Sequence, residues 1–205
     1  LLLWLVLTNH KHMLPYSSQS VNLFFHVFSG CQKMGQGLYW TYLNHKEAIP
    51  LKLLVLSDSH GNVRNMAEAV ERTAPRMILH LGDCWRDAEQ LHDLYPDIPL
   101  IQVPGNCDFR PQEPTERLLC LEGKRILLCH GHTYGVKQSL LSAGYAAEEQ
   151  DLDLFLFGHT HKPLVDMRGK TLFLNPGSIG DWARPFYGVV TLESGRLDGR
   201  TFPLA

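Results

Sequence analysis

The 205-residue sequence lacks a strong charge of either sign and lacks an apolar run long enough to cross a membrane. Its formal net charge is −2, and no basic stretch is interleaved with aromatic residues, so we expect no nucleic-acid partner. The run LLLWLVL at the start is too short for a bilayer, which requires about 20 residues, so we expect no membrane partner. With 44% hydrophobic and 20% charged residues, the composition is that of a soluble globular protein.

A disulfide framework is also missing. The five cysteines form no CxxC pair and are odd in number. This usage is typical of a reducing compartment, so we expect a cytoplasmic location. The sequence has no internal repeat and no low-complexity segment, and its length suits one domain with a real core, with or without an appendage.

The composition changes at residue 50. Residues 1–50 carry only four charged side chains but eight of the twenty aromatic residues, and they show no sustained helical or strand period. Residues 51–205 carry 16 basic and 20 acidic side chains among regular hydrophobic patterns. We therefore predict an N-terminal appendage at residues 1–50, poorly ordered or an over-extended start, and one folded domain at residues 51–205.

From Leu51 onward, strand patterns alternate with helix patterns and then cluster. The apolar runs in LKLLVLSDSHGN, RMILHLGD and PLIQVPGNCD predict three buried strands, and LFLFGHTHKP, KTLFLNPGS and FYGVVTLESGRLDGRTF predict later ones. Helices are predicted at residues 62–74, 88–94 and 136–148, with a hairpin turn at residues 122–124. This order predicts an α/β (α+β) fold, a two-sheet β-sandwich flanked by helices, with one mixed and one largely antiparallel sheet.

Five of the apolar runs end in the same way, with a small residue or glycine followed by a side chain that can bind metal. These side chains are Asp58 and His60, Asp83, Asn106, His130, and His159 and His161. Functional groups in open α/β sheets collect at the carboxyl ends of strands, so we expect them to converge. The i, i+2 spacing within the first and last pairs would put both side chains of a pair on one side of an extended segment.

The chemistry of this set favours a pair of metal ions. Two carboxylates, one carboxamide and four imidazoles, without a thiolate, suit two divalent ions, with Mn first and Ni, Fe, Co or Zn as alternatives. These side chains are too many for one ion, and two ions would leave a positive charge that attracts phosphate and acidifies water. Each motif alone has an ordinary explanation as a turn or a hydrogen-bonded histidine, but together they predict a two-metal centre for phosphoryl transfer.

The motifs D-x-H, G-D, G-N-C-D, H-G-H and G-H-T-H, followed by NPGS at residues 175–178, resemble those of the calcineurin-like metallophosphoesterases. The resemblance is to the small bacterial and archaeal phosphodiesterase branch and covers about residues 51–204. It implies a four-layer αββα fold and hydrolysis of a small phosphodiester by attack of a metal-bridging hydroxide. It also implies that Asp58, His60 and His161 hold one ion, that Asn106, His130 and His159 hold the other, and that Asp83 bridges them.

The family pattern differs at the proton donor. Many members have histidine where this chain has Cys107, although the small phosphodiesterase branch shares the cysteine. A thiol is a poorer proton donor, which would favour substrates with good leaving groups or acid help from His132. The alternative roles of His132 are to orient His130 or simply to lie in a loop. The candidate catalytic residues are Asn106, Cys107 and His132.

Several nearby residues receive lesser roles. Asp87 is left outside the site because it follows Asp83 by four residues, where the broader family often has three. Trp85 and Trp182 could line the mouth of a pocket. Arg184 could bind a substrate phosphate, although an exposed loop arginine is the commoner case.

Two alternatives to a phosphodiesterase stay open. A phosphomonoesterase would use the same metal core. The second alternative is a protein-assembly scaffold, because a eukaryotic relative of this fold in the retromer has that role with an impaired metal site. That relative has replaced ligands, whereas none is replaced here. A homo-oligomer is compatible with the sequence.

Overall fold

The computed structural model describes residues 41–42, 49–109 and 113–204. Most of the predicted appendage, including the LLLWLVL run, lies outside these residues, so the division at residue 50 stays a prediction. Among the helices in the described part of the chain, none is long and apolar enough to cross a membrane.

The described residues form strands and helices in the following order along the chain. The strands are β1 (Thr41–Tyr42), β2 (Leu51–Leu56), β3 (Met77–His80), β4 (Leu100–Gln102), β5 (Glu116–Leu121), β6 (Lys124–Cys129), β7 (Leu154–Leu156), β8 (Leu164–Arg168), β9 (Thr171–Asn175), β10 (Phe186–Glu193) and β11 (Arg196–Pro203). The helices are α1 (Val63–Thr73), α2 (Trp85–Leu94) and α3 (Leu141–Glu149), and His132–Tyr134 form a 3-10 turn.

The strands form two mixed sheets. The five-stranded sheet has the order β11-β10-β2-β3-β4, in which β2, β3 and β4 are parallel and β10 is antiparallel to its neighbours. The six-stranded sheet has the order β1-β5-β6-β7-β9-β8. Its pairings β1–β5, β6–β7 and β7–β9 are parallel, so the prediction of a largely antiparallel second sheet is wrong. The reason is that α3 carries the chain back from the end of β6 to the start of β7, and such a crossover makes the two strands parallel.

The hydrophobic core lies between the two sheets and on both of their outer faces. In β2, Leu53 and Val55 pack between the sheets, whereas Leu54 and Leu56 pack against α1 and α2. All four side chains are fully buried, because both faces of this sheet are covered. On the opposite side of the molecule, α3 covers the outer face of the six-stranded sheet. These layers confirm the predicted αββα sandwich.

The first helix begins at a side-chain cap, and the second begins at a contact with a distant carboxylate. Asn62 Oδ1 accepts a hydrogen bond from the backbone N–H of Asn65 at 3.2 Å, as expected for the cap of α1. Helix α2 begins at Trp85, three residues before its predicted start. The carboxylate of Asp108 accepts the backbone N–H of Trp85 at 2.9 Å, and this long-range contact is invisible in the local pattern.

Helix α3 begins later than predicted and is held by small side chains. Residue 136 was the expected start, but a 3-10 turn and Gly135, with a φ of 63°, precede the helix, which begins at Leu141. Ala143 and Ala147 are buried in the same hydrophobic cluster as Phe155 of β7. Their size allows the helix axis to approach the sheet closely.

His80, at the end of β3, is a fully buried titratable residue. Its Nε2 lies 3.3 Å from Ser59 Oγ. Burial lowers the pKa of His80 from 6.5 to about 4, although the carboxylates of Asp58, Asp108 and Asp87 act in the opposite direction. The ring is therefore neutral in the folded protein at neutral pH.

This burial predicts a loss of stability in mild acid. Between pH 6.5 and about 4, the unfolded chain binds a proton at His80 that the folded protein does not bind, so folding weakens as the pH falls through this window. The two pKa values correspond to a loss of about 3 kcal/mol, complete near the lower value. Urea unfolding at several pH values should show a smaller acid loss for His80→Gln than for the wild type. Equal losses in both proteins would contradict the prediction.

Candidate metal centre

The predicted donor residues lie in loops that follow the strands, not on the strands themselves. Strand β2 ends at Leu56 and β7 ends at Leu156, before the donors begin. Five of the donors have left-handed backbone φ values between 46° and 67°: Asp58, His60, Asp83, His159 and His161. The expected extended geometry of the two i, i+2 pairs is therefore wrong. Non-glycine residues rarely adopt this conformation, and such strain concentrates at functional sites.

Two glycines allow the loops to approach the carboxylates. A Cβ atom at Gly158 would overlap Ser57 Oγ and lie 2.9 Å from Asp58 Oδ2. A Cβ atom at Gly105 would overlap Asp83 Oδ1. Glycine at these positions lets neighbouring backbone reach each carboxylate, which no other residue type would permit.

The first group of donors comprises Asp58, His60, Asp83 and His161. One donor atom from each of these residues lies within 4.8 Å of all the others. His161 Nε2 is 3.1 Å from Asp58 Oδ1 and 3.5 Å from His60 Nε2. The two residues of the GHTH motif diverge, because His161 joins this group and His159 does not.

The second group lies around His130. Its Nε2 is 3.1 Å from Asn106 Oδ1 and 3.5 Å from Asp83 Oδ1. The ring of His159 lies beside it, with the two ring centroids 5.0 Å apart. Asp83 thus adjoins both groups, and the structure brings all seven predicted donors into one region.

The Asp58 carboxylate is fully buried and only half satisfied. Oδ2 accepts hydrogen bonds from Ser57 Oγ at 2.6 Å and from the backbone N–H of His159 at 3.1 Å. Oδ1 accepts no hydrogen bond of normal angle among the described residues, although His161 Nε2 lies 3.1 Å from it. Burial raises the pKa of Asp58, but contacts with His161, His130 and Ser57 more than offset this effect, so the pKa lies below its ordinary value.

This donor set fits a cation. His130 Nδ1 lies 2.8 Å from the carbonyl oxygen of Leu81, which can only accept, so Nδ1 carries the proton. Nε2 faces oxygens of Asn106 and Asp83, an arrangement that a positive charge at or next to Nε2 stabilises. Together with the buried Oδ1 of Asp58, which His161 Nε2 approaches to 3.1 Å, this arrangement suits a metal site with mixed nitrogen and oxygen ligands.

Asp108 organises the loops around Asp83, and the sequence analysis assigned it no role. Its Oδ2 accepts the backbone N–H groups of Gly105 at 2.7 Å and Asp83 at 3.1 Å, and its Oδ1 accepts that of Trp85. The motif GNCD contains Asp108, so its position two residues after Asn106 was the available signal. One carboxylate therefore joins the G-D and G-N loops.

Asp87 has a comparable supporting role at the other loop. It lies outside the first donor group, as expected, but it is buried. Its Oδ2 accepts hydrogen bonds from Ser59 Oγ and from the backbone N–H of Gly61, both at 2.7 Å. Asp87 thereby holds Ser59, which lies between Asp58 and His60, and Gly61, which follows His60.

The candidate proton donors lie beside the second group. The backbone N–H of Cys107 donates to Asp83 Oδ1 at 2.9 Å, and partial burial together with the Asp83 carboxylate raises the pKa of the Cys107 thiol. The ring centroid of His132 is 5.5 Å from that of His130 and 6.1 Å from that of His159. The carbonyl of Leu81, not His132, orients His130.

The phosphate contact suggested for Arg184 stays a prediction. The Arg184 guanidinium lies over the ring of Phe186, 5.5 Å from its centroid. A different cation influences the site: burial lowers the pKa of His159, and the charges of His130 and Lys137 lower it further. Lys137 was missed because it belongs to no strand-end motif.

Trp85 and Trp182 were the two tryptophans suggested for the mouth of a pocket. Trp85 starts α2 and is partly buried, whereas Trp182 is exposed.

A four-layer αββα sandwich with clustered nitrogen and oxygen donors at its loop edge is the architecture of a metallophosphoesterase. Residues 51–195 match the family model of the calcineurin-like phosphoesterase superfamily domain, and the chain belongs to this superfamily. A probable metallophosphoesterase of Bacillus subtilis, YsnB, is 38% identical over 63% of this chain and 75% of its own length. The phosphodiesterase YfcE of Escherichia coli is 28% identical over 63% of this chain and 79% of its own length.

Solved structures agree with this assignment. A predicted phosphoesterase of Streptococcus pneumoniae is 28% identical, with a TM-score of 0.64, over 76% of this chain and 91% of its own length. Vacuolar Protein Sorting 29 of Cryptosporidium parvum shares the fold, with a TM-score of 0.59 and 19% identity over 75% of this chain and 97% of its own length. The fold therefore occurs in proteins with names from both enzymology and protein sorting.

Proposed function

We propose that this protein is a metal-dependent phosphodiesterase that uses two divalent ions to hydrolyse a small phosphate diester. The observation that carries the proposal is the sharing of Asp83 between two donor groups, one around Asp58 and one around His130. A single-ion site would not need donors on both sides of one carboxylate. The name of the Escherichia coli relative, a phosphodiesterase, supports the choice of a diester substrate.

Each of the two donor groups would hold one of the two ions. Asp58, His60 and His161 would hold one ion, Asn106, His130 and His159 the other, and Asp83 would bind both. Mixed nitrogen and oxygen donors without a thiolate accommodate Mn, our first choice, as well as Ni, Fe, Co and Zn. When bound, such a pair supplies an acidified water as the nucleophile and positive charge against the phosphate oxygens.

The chain's own residues fix this site and handle protons. Hydrogen bonds from Ser57 and from the backbone of Cys107 hold the carboxylates of Asp58 and Asp83 in place. The thiol of Cys107 and the ring of His132 are the groups near the second donor set that could protonate the leaving oxygen. Because a thiol is a weak acid, we expect the enzyme to prefer esters with good leaving groups.

A direct test compares a diester and a monoester with one leaving group. Purified protein with Mn²⁺ should hydrolyse bis(p-nitrophenyl) phosphate with a kcat/KM at least about tenfold above that for p-nitrophenyl phosphate, which corresponds to about 1.4 kcal/mol in the barrier. A preference for the monoester would favour the phosphomonoesterase alternative, which shares the same metal core. No turnover of either ester with any divalent metal would overturn both.

The scaffold alternative rests on the shared fold of Vacuolar Protein Sorting 29. All seven donors are present here and lie together, which favours an enzyme over a protein-assembly role. Fewer than two ions per chain by elemental analysis, combined with no turnover, would favour the scaffold.

A cytoplasmic location and a homo-oligomeric state stay predictions. The prediction of location rested on the cysteines, and the four described cysteines are free.

A further inference from the structure

Trp182 is the most exposed large hydrophobic side chain among the described residues, at 94% of its full accessibility. It lies in the loop that connects β9 to β10. A single exposed hydrophobic side chain is common on protein surfaces, so the position of Trp182 matters more than its exposure.

The turn that presents Trp182 is held by its own hydrogen bonds. Asp181 Oδ1 accepts the backbone N–H groups of Ala183 at 2.9 Å and Arg184 at 2.8 Å. The Arg184 guanidinium packs over Phe186 and anchors the far side of the turn. Trp182 therefore projects from a fixed turn, so its exposure is built into the local structure.

The same loop is docked on the backbone of the first donor group. Ser178 Oγ and the backbone N–H of Gly180 both donate to the carbonyl oxygen of Asp58, at 2.8 Å and 3.2 Å. A Cβ atom at Gly180 would overlap the carbonyl oxygen of Ser59. Trp182 thus follows, by two residues, a segment that touches the backbone between Asp58 and His60.

Of the other exposed hydrophobic residues, Phe109 also lies in a donor loop, directly after Asp108. Tyr145 lies on α3, which covers the outer face of the six-stranded sheet, and Met167 lies on the edge strand β8. Only the Trp182 loop combines an exposed aromatic ring, a capped turn and direct contacts with the Asp58 backbone among the described residues. The Trp182 loop therefore lies directly against the backbone of the first donor group.

We propose that Trp182 is a specificity residue that stacks on a planar aromatic substituent of the phosphate ester, such as a nucleobase. The proposal rests on the proposed function and narrows its substrate class. Stacking of a base on an aromatic side chain is worth about 1–3 kcal/mol by alanine substitution, which corresponds to about 5- to 150-fold in affinity. Tryptophan offers the largest aromatic face for such a contact.

The test uses two ligands that differ only in the base: adenosine 5′-monophosphate and ribose 5-phosphate. Calorimetric titration of the Mn²⁺-loaded protein should give tighter binding of the adenosine compound by a factor of about 5 to 150. Trp182→Ala should remove this preference without changing the affinity for ribose 5-phosphate, and Trp182→Phe should retain part of it. Tyr145→Ala, a matched exposed aromatic on α3, should behave as the wild type.

Several results would overturn the proposal. One is an equal preference in the wild type and in both Trp182 variants. Another is a dimer, seen by light scattering, that Trp182→Ala dissociates, because the ring would then serve contacts between copies of this chain. Hydrolysis of bis(p-nitrophenyl) phosphate is measured in parallel. If hydrolysis is absent but the calorimetric preference depends on Trp182, the proposed function fails and the Trp182 proposal stands. If hydrolysis occurs but the preference does not depend on Trp182, the proposed function stands and the Trp182 proposal fails.

Discussion

Replacement of Asp83 with asparagine is expected to lower kcat/KM for a diester by at least about 10³-fold. The reason is that two metal ions stabilise the negative charge of the transition state by several kcal/mol, and Asp83 would help to hold both ions. Asp83 is the carboxylate shared by the two donor groups: it belongs to the first and lies 3.5 Å from His130 Nε2 in the second. An amide keeps the shape but loses the negative charge and one oxygen ligand. We expect bound metal to fall from about two ions per chain toward one.

Three measurements on Asp83→Asn separate this effect from a folding defect. Elemental analysis gives the metal content, steady-state kinetics gives kcat/KM, and thermal unfolding of metal-free protein gives the stability. The matched control is Asp93→Asn, the same substitution at an exposed position on α2, which should retain metal and activity. Wild-type turnover together with two bound ions in Asp83→Asn would remove Asp83 from the site.

The layers of the fold and the members of the site could be predicted from the sequence for one physical reason. Buried strands require apolar runs, and polar residues can enter only where the runs end. The end of β2 before Asp58 and the end of β7 before His159 are visible in this way. Parallel strands of one sheet end at the same edge, but β2 and β7 belong to different sheets. Asp58 and His159 meet because the two sheets pack with these strand ends on the same side.

The conformation of the loops could not be predicted, because it depends on contacts between distant segments. Asp58 and His159 adopt left-handed backbone, and the backbone N–H of His159 donates to the Asp58 carboxylate. No local period specifies that contact. The start of α2 had the same difficulty, since the acceptor for the N–H of Trp85 is Asp108, 23 residues away. Lys137 was missed for a related reason: its influence on His159 is electrostatic and leaves no mark in the hydrophobic pattern.

The Asp108 contacts make a strong test of how the loops support the site. In Asp108→Ala, the backbone N–H groups of Asp83, Trp85 and Gly105 lose their acceptor. Hydrogen bonds to a charged group contribute about 1.5–3 kcal/mol each, and water can replace part of this, so we expect a loss of about 3 kcal/mol in the free energy of unfolding. The midpoint of urea unfolding of metal-free protein measures it.

The substitution should also weaken metal binding, although Asp108 is not itself a proposed ligand. Its carboxylate holds the backbone of Asp83, which is a proposed ligand. We expect metal affinity or kcat to fall by about 10- to 100-fold, the usual cost of a lost support behind a metal ligand. Asp108→Asn is the matched comparison: it keeps the volume and one acceptor oxygen, so both losses should be smaller. If Asp108→Ala unfolds with the wild-type midpoint and binds metal normally, the two loops are held by other contacts, and the carboxylate is dispensable. If stability falls but excess Mn²⁺ restores activity, Asp108 acts by positioning Asp83.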